Sequence, residues 1–155
     1  GARDAAGFID AEVTLAEVHA QAVFRGLQLR ALAALGWLGD SARISAYQGG
    51  TTPVVLGKRT RGAYAEVAYD VLALLAPGSA QALSPFVRLE DVDLHHAVAE
   101  GLARDPSNDY TLLTAGLTWE PLPTVVLKGD YQVKDTAAAA RSRSERVNVG
   151  IGFVF

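Results

Sequence analysis

The chain has 155 residues, about the size of one domain. Its 14 basic and 17 acidic side chains give a net charge of −3, with no basic block of the kind that grips nucleic acid. Cysteine is absent, which excludes disulfides and thiolate metal sites, and half of the residues are hydrophobic.

Gly1-Ala2-Arg3-Asp4 begins no signal peptide and the chain contains no methionine, so the expectation is a processed chain or a piece of a longer one. The longest stretch free of Asp, Glu, Lys and Arg, Val71–Val87, is interrupted by Pro77, Gly78 and Pro85. It predicts no transmembrane helix. What recurs instead is alternation with a period of two. In Val13–Phe24, Ala16, Val18, Ala20, Ala22 and Phe24 oppose Glu17, His19 and Gln21. This run is rich in good helix formers, so a helix is the competing reading; the alternation and the Arg25-Gly26 break favour a hairpin into Leu27–Trp37. Ala63–Val71, Leu83–Glu90, Thr111–Glu120, Thr124–Lys134 and Arg146–Phe155 alternate in the same way. The fold class expected is all-β, an antiparallel up-and-down meander of about seven strands.

Short connections are expected at Arg25-Gly26, Ala76–Ala80 and Pro121–Pro123, and long polar ones at Gly39–Lys58, His95–Asp109 and Asp135–Glu145. Turns sorted by length and side are a feature of outer-membrane β-barrels, where the apolar face meets lipid and the polar face lines the lumen. The polar faces carry Glu17, Arg30, Glu66, Asp70, Arg88, Glu90, Glu120, Lys128, Asp130, Lys134 and Arg146, the candidate pore-lining residues. Their opposite faces read as almost uncharged. Tyr69, Trp119, Phe153 and Phe155 fall on the apolar faces near the short-turn end, as an aromatic girdle would. Trp37 and Tyr131 fall nearer the other end. The competing architecture is a soluble barrel with a solvated outside.

From about Leu83 onward the chain resembles the C-terminal part of the phosphate-selective porin family and its porin-like relatives. The resemblance rests on LSPFVRLE, DPSND, LTAGLTWEPLPTVVLKGDYQ and VNVGIGFVF, and more loosely on VTLAEVHAQ…LQLRALAALG upstream. It implies a channel in the outer membrane of a Gram-negative bacterium, in contact with outer-membrane lipid and trimeric, admitting small hydrophilic solutes or ions by passive diffusion. It also implies that the terminal strand, with Phe153 and Phe155, is the assembly signal read by the barrel-assembly machinery. Members of the family are far longer, and single-chain bacterial barrels have an even number of strands. Residues 1–155 are therefore expected to be the C-terminal section of a larger barrel. The alternative is a closed eight-stranded barrel, a small structural or adhesive outer-membrane protein that conducts little. The polar faces mix acidic and basic groups, which leaves the sign of any ion selectivity, and so phosphate itself, open.

No catalytic constellation is present. Ser45, Ser79, Ser84, Ser107, Ser142 and Ser144 sit in no nucleophile elbow, and His19 with Glu17 shares one strand face. Asp91, Asp93, His95 and His96 come nearest to a metal cluster, but adjacent histidines in a strand point to opposite faces. The DPSND stretch, Asp105–Asp109, reads as ordinary turn chemistry rather than a calcium loop. No enzyme activity, cofactor or resident metal is expected, and no nucleic-acid partner.

Overall fold

The computed structural model describes residues 3–4, 7–9, 11–49, 54–138 and 142–153. A small ladder pairs β1 (Arg3–Asp4) with β2 (Gly7–Phe8). The remaining strands are β3 (Val13–Phe24), β4 (Leu27–Leu38), β5 (Gly57–Tyr69), β6 (Ala82–Val98), β7 (Asp109–Leu122), β8 (Val125–Thr136) and β9 (Arg143–Phe153). They form one antiparallel sheet in sequence order, an up-and-down meander of seven strands with β3 and β9 at its edges. The sheet is open. Its strands run 11–17 residues, against a mean of about 5–6 in soluble proteins.

The hairpin at Arg25-Gly26 follows from local chemistry. Arg25 has φ 49° and Gly26 φ 85°, the two positive values that a type I′ turn requires to match the twist of its strands. Gly26 is also crowded: a Cβ there would lie 3.2 Å from both Ala73 Cβ and Asp70 O. The next turn on that side is longer than the sequence suggests. It spans 70–81 and includes α2 (Leu72–Leu75), a single helical turn that leaves Leu74 and Leu75 exposed. On the opposite side the connections are 39–56, 99–108 and 137–142. The length sorting is thus partial, because Pro77-Gly78 closes a folded corner where a tight hairpin was expected.

Two strands outrun their expected limits. β5 begins at Gly57 rather than Ala63, and β6 continues to Val98. Asp91, Asp93, His95 and His96 are therefore strand residues rather than a loop edge. The 39–56 connection contains a helix, α1 (Ser41–Gly49). Buried Ser45 donates to Ser41 O at 2.7 Å and accepts from Leu56 N at 3.1 Å, tying the helix to the chain that returns to β5.

The distribution of burial is the unusual feature. Among the described residues only Ala68, Phe86 and Ala99 are buried hydrophobics, whereas Glu66, Ser84, Asp93, His95 and Thr114 are buried polar ones. One layer of sheet has no second layer to cover its apolar side, which a soluble domain of this size would supply. The apolar face is left open, with Val147 72 % and Val149 86 % exposed.

Candidate functional site

Register, not sequence spacing, shows what the polar face is. Gln21, Arg30, Glu66, Arg88, Thr114, Gln132 and Arg146 pair successively from β3 to β9, one residue per strand, in a single row across the sheet. Directly paired residues share a face, so this row fixes the side for every other candidate. Glu17, Glu90, Glu120, Lys128, Asp130 and Lys134 all have the same parity. The neighbouring row contributes Gln28, Ala68, Phe86, Gly116, Asp130 and Asn148.

Glu66 is the centre of this face. Its side chain is 5 % exposed, and each carboxylate oxygen takes one arginine. Arg30 Nη1 donates to Oε1 at 3.0 Å, while Arg88 Nε and Nη2 approach Oε2 at 2.9 and 2.8 Å. Arg88 also lies 3.9 Å from Glu90, and its guanidinium sits 4.6 Å from the Tyr64 ring centroid. Two more cations rest on rings of the same face, Lys128 over Phe86 at 4.4 Å and Lys134 over Tyr110 at 3.7 Å. Such contacts hold a charge in place while leaving it unneutralised. Asn148 Nδ2 donates to Asp130 Oδ1 at 2.7 Å. A small hollow of about 70 Å³ lies between Arg30, Glu66, Phe86, Glu120 and Lys128.

Gly116 makes the Lys128–Phe86 arrangement possible. A Cβ there would stand 2.7 Å from Phe86 Cε1 and 2.5 Å from Gly129 O, so only glycine lets the ring lie down against β7. Thr114, between Arg88 and Gln132 in the row, is buried, and its hydroxyl has no hydrogen-bond partner among the described residues.

Of the candidates, Asp70 stands apart. It lies just past β5, and its Oδ1 accepts from Leu72 N and Leu83 N, both at 3.0 Å, so it fastens the corner rather than lining a surface. Phe153 is the last residue of β9 and pairs with Val125; Phe155 lies outside the described residues. Tyr131 pairs with Ala115 and Val147, near the middle of β8 and one residue nearer its long-connection end. The candidate list kept only charged side chains. The alternation itself puts Gln28, Tyr64, Phe86, Thr114, Gln132 and Asn148 on the polar faces, and only Tyr110 fell outside the runs that were read.

The apolar face has a boundary that the sequence reading did not give it. Arg61, Asp91, Asp93, Asp109, Asp135, Arg143 and Glu145 occupy apolar-face positions at the long-connection end. There Asp93, 3 % exposed, accepts from Arg104 Nη2 at 2.8 Å and His95 N at 3.1 Å, with His96 Nδ1 3.3 Å away. Asp105 caps the 3₁₀ turn Pro106–Asn108 through Ser107 N at 2.9 Å and Ser107 Oγ at 2.7 Å. Those two bonds, chiefly the one from the hydroxyl, hold its carboxyl below the ordinary carboxylate value. Among the described residues no three His, Asp or Glu side chains are grouped to hold a metal ion.

No family model matches the chain, and no solved structure matches it. Over 117 residues, 72 % of the chain, it is 29 % identical to an uncharacterized protein of Aquifex aeolicus (strain VF5), of whose length it spans about a quarter, 26 %.

Proposed function

We propose that the chain is a section of a porin-like outer-membrane β-barrel, through which small hydrophilic solutes diffuse passively. The observation that carries this reading is the inverted polarity of the sheet. Its long strands bury an ion-paired, hydrogen-bonding face and expose a continuous apolar one from Leu29 through Val67, Val87, Ala115 and Tyr131 to Val147. In water that arrangement wastes its apolar surface; in a bilayer it is the favoured one. Strands of 11 residues or more also suit a spanning strand, which needs about 9–11 residues when tilted. The apolar band ends at the Arg61–Asp91–Asp93 level on one side and at the corner with exposed Leu74 and Leu75 on the other.

In this reading further strands pair with the free edges of β3 and β9, since a spanning sheet leaves no edge open to lipid. Phe153 and Phe155 then form the terminal signal for the assembly machinery, and the barrel is expected to trimerise in the outer membrane. Glu66 and Glu90 are engaged by arginines, whereas Lys128, Lys134 and Arg146 have no carboxylate within 4.0 Å among the described residues. Against these three stand Glu17, Glu120 and Asp130, so the charges of this part of the lumen balance and set no sign of ion selectivity.

Planar-bilayer recording of the purified protein in a potassium chloride gradient tests both points. Stepwise conductance is expected, with a reversal potential near zero from the balanced charges of this section. The contacts bridging strands across the polar face favour one second reading, a non-channel structural or adhesive barrel with a filled interior. Insertion without conductance would select it, and a monomer soluble without detergent would defeat both.

A further inference from the structure

We infer that the cleft at the long-connection end of β3–β6 binds a small, uncharged, mostly apolar molecule that carries a hydrogen-bond acceptor. The cleft has a volume of about 450 Å³, within the roughly 300–1,000 Å³ of small-molecule sites. Val13, Leu38, Leu56 and Leu94 supply apolar wall, with Trp37 beside them. Val13 and Leu38 pair with each other on the polar-face side of the sheet. The face that carries the charged row therefore turns apolar at this end. Gly36 and Gly57 keep the floor tight: a Cβ on Gly36 would lie 2.5 Å from Thr60 Oγ1, and one on Gly57 would collide with Leu94 O.

His95 sets the polarity of the ligand. Three residues of β6, Leu94–His96, oppose Thr60 alone in β5, and this bulge turns the His95 ring into the wall of the cleft. The residue is only 6 % exposed. Its Nδ1 accepts the backbone N–H of Asp105 at 3.2 Å, which requires a lone pair there and puts the proton of the neutral ring on Nε2. Nε2–H has no hydrogen-bond partner among the described residues. Nε2 keeps contact with solvent, and a donor that opens onto an apolar cleft is a specificity element for an acceptor.

The lining of the cleft holds no Asp, Glu, Lys or Arg, which favours a neutral ligand. Asp93, Asp105 and Asp109 stand beside Arg61 and Arg104, so the carboxylates already outnumber the guanidinium groups. A carboxylate ligand would add to that excess. An ammonium ligand would meet the Nε2–H donor. A ketone or ether suits both the donor and the wall. The lining residues all belong to this chain; the nanodisc assay rests on the membrane reading, but ligand binding and conductance are read separately, so one can fail without the other.

The test uses cyclohexanone as probe and cyclohexanecarboxylate as its charged counterpart, titrated into the protein in lipid nanodiscs. A Trp119→Phe background leaves Trp37 as the one tryptophan reporter, since the chain has two. Cyclohexanone is expected to give a saturable change in Trp37 emission, and the carboxylate to bind at least tenfold more weakly. His95→Leu should weaken cyclohexanone binding about tenfold. Val55→Phe fills the cleft, leaves His95 and its contact to Asp105 in place, and should abolish binding even where His95→Leu fails to fold. A purely linear, unsaturable response, equal binding of the carboxylate, or binding that survives Val55→Phe would each overturn the inference.

Discussion

Replacing Glu66 by glutamine should loosen the sheet at its centre. Glutamine keeps the shape of the side chain and one acceptor oxygen, but it turns an N–H₂ group toward an arginine. Two guanidinium groups, at 2.8–3.0 Å in the native sheet, then face each other across a neutral amide. Breaking a fully buried ion pair from one side costs about 3–5 kcal/mol. Here the side chains of Arg30 and Arg88 remain 42 % and 29 % exposed, so water recovers part of that loss, and about 2 kcal/mol is the reasoned figure. Urea unfolding from lipid vesicles, followed by tryptophan emission, reads it. A companion Glu66→Gln/Arg88→Gln variant should regain part of the loss, because it removes one of the stranded charges. A loss under about 0.5 kcal/mol for Glu66→Gln, within the range of an ordinary surface substitution, would show that the row carries no stability.

Gly116→Ala should cost about 1–3 kcal/mol in the same assay, since the added methyl overlaps Phe86 and the β8 backbone. Val87→Arg, midway along the apolar face of β6 between Leu83 and Asp91, should destabilise the vesicle-inserted protein by about 2–4 kcal/mol, as lipid-facing arginines do near a bilayer midplane. In a soluble sheet the same change at a residue 46 % exposed would fall within about 0.5 kcal/mol. The third concerns pH. The Asp105 carboxyl is held below its ordinary value of 3.8, so its contribution to the 3₁₀ turn is complete above that value. It is lost as pH falls through the lower folded value. The protection factor of the Ser107 amide, the exchange rate corrected for the intrinsic rate at each pH, should therefore be unchanged between pH 7 and 5 (a range chosen above both values) and fall only under stronger acid; a fall already at pH 5 would contradict the Asp105–Ser107 assignment.

Much of the sheet could be read from alternation alone, and Val13–Phe24 shows why. Its residues favour a helix, yet all twelve pair with Leu27–Leu38. Propensity is a weak prior beside a complete ladder and a type I′ turn. Where the reading stopped short, charge was the cause. Lys58, Arg59 and Arg61 at the start of β5, and Asp91 with Asp93 in β6, resemble loop residues because they interrupt the apolar face. They belong to strands because the backbone ladder is indifferent to side-chain charge, and that end lies beyond the apolar band. The helix Ser41–Gly49 left no clear periodic signal, being held by Ser45 and the returning chain rather than by an apolar stripe. The charged row was half visible: alternation placed its members on one face, but that Glu66 joins two arginines depends on register, which no single strand encodes.

The inverted sheet can be examined directly, because the chain has no cysteine of its own. Single cysteines at Val87, on the apolar face, and Gln132, in the charged row, would be tested in vesicles with a membrane-impermeant thiol reagent and with brominated lipid. The expected outcome is a Val87→Cys site shielded from the reagent, whose attached fluorophore is quenched by lipid, and a Gln132→Cys site that reacts from water and is not quenched. Equal aqueous reactivity at both positions, with no lipid quenching at either, would mean that the apolar face does not meet a bilayer.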